Sequence, residues 1–158
     1  MEEKKRGAFI AFEGIDGSGK GTQIRLLKKH LEKLGLPVFR TMEPNDSPFG
    51  DLIHQIMIGR VKTTNDVIAA NAPCAALLRP DATVFIDVNP SVTMDRIEKN
   101  RMTKELFEET GRLVETRKRY FEAFEKEKDH ENVIIINGDR EPELVEADIW
   151  EKLNPFFS

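Results

Sequence analysis

Four short apolar runs, spaced along the chain by amphipathic stretches, set out its framework. Ala8–Glu13, Val38–Met42, Ala82–Val88 and Asn132–Asn137 are bounded by turn residues and too short for helices, and they predict strands. Ala82–Val88, reading ATVFIDV, and the NVIIIN run have the β-branched character of buried strands. Between these runs the apolar positions recur at helical spacing. Ile24, Leu27, Leu31 and Leu34 make one stripe, stopped by Gly35. Leu52, Ile53, Ile56 and Met57 predict a helix within Gly50–Gly59, and Lys62–Ala70 predicts another, capped at Thr64 or Asn65. A helix is expected over Pro90–Asn100, capped by Asn89 or Ser91. Leu106, Phe107, Leu113, Val114, Phe121 and Phe124 share one long helix, and Leu144, Val145, Ile149 and Leu153 follow Pro142 on a last one. Strand and helix alternate, which predicts an α/β fold in three layers around a parallel sheet. No repeat or low-complexity linker divides it, so residues 8–158 read as a single domain behind a charged tail, residues 1–7.

A chain of 158 residues buries ~70% of its unfolded surface on folding, enough for a substantial core. Charged residues make up 33% and the net charge is −4, which argues against nucleic acid as a partner, because that binding needs excess positive charge. Cys74 is the single cysteine and the three histidines are scattered, so neither an intrachain disulfide nor a cysteine–histidine zinc site is written here, and a packing role is expected for Cys74. The start, MEEKKRG, lacks the apolar core of a signal peptide, and no run is long enough to span a bilayer. A cytoplasmic protein with no membrane partner is the expectation.

The chemistry concentrates where the first strand meets a glycine-rich loop, FIAFEGIDGSGKGTQ, Phe9 to Gln23. Gly14, Gly17 and Gly19 allow a tight turn whose N–H groups converge on an anion at a helix start, and Lys20 supplies the ammonium. ATP or GTP is the ligand such a loop implies. Two carboxylates at strand ends are further candidates. Glu43, held extended by Pro44, would point from the second strand's end into the crevice, or would cap a turn. Asp87 would hold magnesium through water, or would shape the loop that follows it. The charged segment Glu98-Lys99-Asn100-Arg101 would close over phosphates, or would be a solvated helix end.

In order and spacing, FEGIDGSGKGTQ, TMEPNDSPFG, RPDATVFIDV, ELFEETGRL and YFEAF resemble the thymidylate kinases, among the P-loop nucleoside-monophosphate kinases, over nearly all of the chain from Phe9 onward. The resemblance implies transfer of the γ-phosphoryl group of ATP, with Mg2+, to dTMP, in dTDP and dTTP biosynthesis. By family role Gly14, Ile15, Asp16, Gly17, Ser18, Gly19, Lys20, Gly21 and Thr22 would hold the donor phosphates. Asp16 would contact the acceptor's sugar hydroxyl, Glu43 and Pro44 would line the acceptor side, and Arg101 would stabilise charge on the transferring group. A homodimer would also fit the family.

Three departures qualify this. Gly21 stands where the loop usually has Ser or Thr, giving the GKGTQ ending typical of adenylate kinases, and Met42 stands where the family has arginine. The family's middle segment, with a strand ending in an Asp-Arg pair and a helix that reads the base, is missing between Ala70 and Asn71. The acceptor site is then incomplete and the sheet short of one central strand, with Val38–Met42 expected to pair directly with Ala8–Glu13. Two alternatives stay open: a nucleotide-binding remnant without kinase activity, and another nucleoside-monophosphate kinase.

Overall fold

A computed structural model describes residues 6–41, 79–98 and 106–157. Among these residues three strands form one parallel sheet: β1 (Ile10–Glu13), β2 (Ala82–Asp87) and β3 (Val133–Asn137), in that spatial order. Glu13 pairs with Phe85 and Asp87 with Asn137, so the strand ends step outward along one edge of the sheet. The described helical pieces are, in chain order, α1 (Lys20–Lys33), α2 (Pro90–Glu98), α3 (Leu106–Glu127), α4 (Pro142–Leu153) and a terminal 3-10 turn over Asn154–Phe157.

The central strand β2 sets the layering. Its side chains alternate, sending Ala82, Val84 and Ile86 into a core with Leu27 and Leu31 of α1 and Val145, Ile149 and Leu153 of α4. Phe85 points to the opposite face, where it meets the rings of Tyr120, Phe121 and Phe124 on α3 at centroid distances of 4.9, 5.6 and 5.0 Å. With helices on both faces of the sheet, this is the expected three-layer α/β architecture.

Four details differ from the sequence pattern. Val38–Thr41 form no strand: Val38 packs on the core from a loop while Phe39 is 94% exposed, and among the described residues β1 has a ladder partner only in β2. A strand requires a hydrogen-bonded neighbour, and the expected pairing with Ala8–Glu13 is not made by these residues. On α1 the buried stripe is Gln23, Leu27 and Leu31, and Leu34 is exposed because it caps the helix. The buried Gln23 donates Nε2–H to Pro142 O at 3.0 Å, while its Oε1 has no partner among the described residues. Leu144 and Val114 also face solvent, one position off the stripes that carry Val145 and Leu113. β3 is half-exposed, with Ile136 buried and Ile135 outward, since among the described residues helices cover only one of its faces.

The helices over Gly50–Gly59 and Lys62–Ala70, Cys74, Met42 and the Ala70–Asn71 junction lie outside the described residues, as do residues 1–5 of the tail. Arg6, at the tail's inner end, pairs with Asp81, whose other oxygen accepts from the Phe9 amide at 2.7 Å. Among the described residues no helix is long and apolar enough to cross a membrane.

Candidate functional site

The chain leaves β1 at Glu13 and turns through the glycine loop into α1. Gly14, at φ 149°, is fixed by close approach: a Cβ there would lie 2.6 Å from Ser18 Oγ and 2.8 Å from Ile86 O. Gly19, at φ 94°, is the N-cap of α1 in the left-handed region and brings no side chain to the helix start. The loop is closed by the Ser18 amide donating to Ile15 O at 3.1 Å. Thr22 and Gln23 return their amides to Gly19 O, whereas the first-turn amides of Lys20 and Gly21 have no carbonyl a turn behind them in the helix. Uncapped amides at the positive end of a helix favour an anion. Gly17, Ser18, Gly19, Lys20, Gly21, Thr22 and Arg25 line a concavity of about 450 Å³ at this point.

Lys20 lies folded along the loop, its ammonium donating to Gly14 O at 2.6 Å and Ile15 O at 3.1 Å. Burial lowers its pKa from 10.5, and the negative charges of Asp16 and Glu13 oppose that shift. Its partners are thus two neutral carbonyls, which hold an ammonium less strongly than a phosphate would. Asp16 stands exposed on the lip of the loop, while Ile15 and Ser18 are buried beneath it.

Beside the loop, α3 sets two polar side chains one turn apart against the ends of β1 and β2. The Tyr120 hydroxyl donates to Glu13 Oε2 at 2.8 Å. Arg117 donates Nε–H and an Nη–H to the two oxygens of Asp87, at 2.6 and 2.7 Å, and its guanidinium lies 4.9 Å from the Phe121 ring centroid. Those bonds raise the guanidinium's pKa further, so Arg117 stays charged. A third carboxylate, Asp139, caps the next turn by accepting from the Asn89 amide.

The loop residues Gly14 to Thr22 lie together between β1 and the first turn of α1, and Asp87 reaches the same edge of the sheet in the company of Arg117. Glu43, Pro44 and Arg101 lie outside the described residues. Glu13, Tyr120, Arg117 and Arg25 enter the site without having been singled out from the sequence. The available signal was slight: Arg117, Tyr120 and Phe124 fall at i, i+3 and i+7, on one face of α3.

The thymidylate kinase family model matches residues 12–76 and 67–149, together most of the chain. Thymidylate kinase from Pelotomaculum thermopropionicum is 51% identical over 53 residues, covering 34% of this chain and 24% of that protein. Probable thymidylate kinase from Thermococcus kodakarensis is 34% identical over 93 residues, 56% of this chain and 45% of its own length. Thymidylate kinase from Fervidobacterium nodosum is 26% identical over 198 aligned positions, covering 94% of this chain and 99% of that protein. Those 198 positions exceed the 158 residues of this chain by 40, so the Fervidobacterium protein has residues without a counterpart here. The strand–glycine loop–helix unit and matches over nearly the whole chain lead to one conclusion: this chain belongs to the thymidylate kinase family.

Proposed function

We propose that the chain is a thymidylate-kinase-like phosphotransferase that moves the γ-phosphoryl group of ATP to dTMP, giving ADP and dTDP, with an acceptor site lacking part of its walls. The observation that carries the donor half is the loop geometry: Gly14 where a Cβ would clash, Gly19 in the left-handed region, uncapped first-turn amides, and a lysine that donates to two loop carbonyls. In the reaction an oxygen of the dTMP phosphate attacks the γ-phosphorus and the bond to the β-phosphate oxygen breaks, leaving ADP. Gly14 to Thr22 bind and orient the donor phosphates, and Lys20 exchanges its two carbonyls for phosphate oxygens. Asp16, exposed on the loop's lip, takes the acceptor's sugar hydroxyl, with Glu43 and Pro44 on the acceptor side and Arg101 at the transferring group.

Magnesium bound with the nucleotide would neutralise phosphate charge, largely through phosphate oxygens and water. This chain's residues fit such a loosely held ion. Gly21 offers it no hydroxyl, and each Asp87 oxygen, although accepting from Arg117, keeps a lone pair for a hydration water. A cytoplasmic enzyme, with nucleotides as its small-molecule partners and a homodimer as its assembly, completes this reading.

The test is ADP release with dTMP and with AMP as acceptors. dTMP-dependent turnover that Lys20→Ala abolishes supports the kinase; no turnover above that variant overturns it, and preference for AMP points to another monophosphate kinase.

A second reading, a nucleotide-binding remnant, draws on the segment absent between Ala70 and Asn71 and on the unmatched positions of the Fervidobacterium relative. It requires that ATP raise the melting temperature while dTMP does not, and a clear dTMP-dependent rise would count against it.

A further inference from the structure

Tyr120 is the chain's single tyrosine, and its polar end has no part in the reaction just described. Its ring is held by Phe85 at 4.9 Å and Phe124 at 5.9 Å, so the position of the hydroxyl is fixed by packing. That hydroxyl donates to Glu13, the last residue before the phosphate loop, and the Gly14 backbone reaches the same phenol oxygen. Glu13 in turn is one of two carboxylates, with Asp16, whose charge is felt at Lys20. Glu13 directly precedes Gly14, whose carbonyl accepts from the Lys20 ammonium at 2.6 Å, so its carboxylate has an alternative to the tyrosine: it can turn and pair with the lysine directly. A phosphate would then have to displace a charged partner rather than two neutral carbonyls.

We propose that Tyr120 is a positioning residue for the phosphate loop, its hydroxyl holding the Glu13 carboxylate off the Lys20 ammonium so that the lysine remains available to a nucleotide phosphate. The inference rests on the donor-site reading above. Tyr120 acts only through Glu13, and this separates it from a residue that merely packs.

Burial and the neighbouring Glu13 and Asp16 charges drive the phenol's pKa far above its usual 10.0. The tyrosine is therefore protonated, and a donor, over the pH range in which nucleotide binding is read. The groups facing the phenol are Glu13 from β1, Asp16 from the loop and the Gly14 backbone; Arg117, one turn away on α3, is engaged by Asp87.

The experiment is a double-mutant cycle read by MgATP binding. Tyr120→Phe keeps the ring and removes the donor; it is expected to weaken MgATP binding ~10-fold, the scale of one hydrogen bond to a charged group. In a Glu13→Gln background the charge that Tyr120 restrains is gone while Asp16 is unchanged, and Tyr120→Phe should change affinity less than ~2-fold. Wild-type affinity in Tyr120→Phe, or the same loss in both backgrounds, overturns the proposal.

A second readout is independent of ATP. Tyrosinate absorbance reports on Tyr120 alone, and Glu13→Gln should lower the pH at which it appears; an unchanged titration also overturns the proposal. Failure of the wild-type chain to bind MgATP would refute the donor-site reading instead, with the titration still deciding whether Glu13 and Tyr120 are coupled.

Discussion

At the scale of single residues, function depends on positions where side chains must be small or must be held. Gly14 cannot carry a Cβ without meeting Ser18 Oγ at 2.6 Å and the Ile86 carbonyl at 2.8 Å, and the second of these is backbone, unable to rotate away. Gly14→Ala is therefore expected to lower stability by about 2 kcal/mol or more and to remove the rise in melting temperature given by ATP. Both effects are read in one denaturation series with and without nucleotide. Lys20→Ala should separate them, folding normally but showing no ATP-induced shift. It should also alter the alkaline stability profile. Folding lowers the Lys20 pKa below 10.5, so between the folded value and 10.5 the unfolded chain binds more protons, and this group's contribution to stability rises with pH. The alanine variant lacks that rise, which urea denaturation across alkaline pH would detect.

At the scale of elements, the two faces of β2 carry different work. Val84 and Ile86 anchor α1 and α4, while Phe85 holds α3, the helix that aims Tyr120 and Arg117 at the strand ends. Truncating Phe85 to Ala removes a side chain in contact with three rings and is expected to cost ~3–5 kcal/mol by chemical denaturation. Because it releases α3 as well, MgATP affinity should fall even under conditions where the variant remains folded. Ile149→Ala, on the opposite layer, should cost ~2–5 kcal/mol and leave MgATP affinity unchanged.

These elements were legible to different degrees in the sequence. The loop, β2, and the stripes Leu27–Leu31 and Val145–Ile149–Leu153 could be read directly, because local turn chemistry and periodicity decide them. Val38–Thr41 could not, since a strand depends on a neighbour that its own residues do not specify. Leu144 and Val114 were misplaced for a related reason: a stripe's edge is settled by which helix packs against it. Tyr120 escaped notice because its partner is 107 residues away in sequence.

At the scale of the whole molecule, the proposed function joins a donor site built on the glycine loop to an acceptor side expected to lack the family segment between Ala70 and Asn71. The glycine loop, α1 and the α3 contacts rest on the described sheet and its two helical layers, and on the proposed reading the ATP half is built on these elements. The acceptor half does, and transfer to dTMP is the more demanding claim. The most direct measurement follows the label from γ-labelled ATP in the presence of dTMP and magnesium. Labelled dTDP, formed by the wild-type chain and not by Lys20→Ala, is the expected result. Tight MgATP binding without any labelled dTDP would contradict the assignment as a thymidylate-kinase-like phosphotransferase.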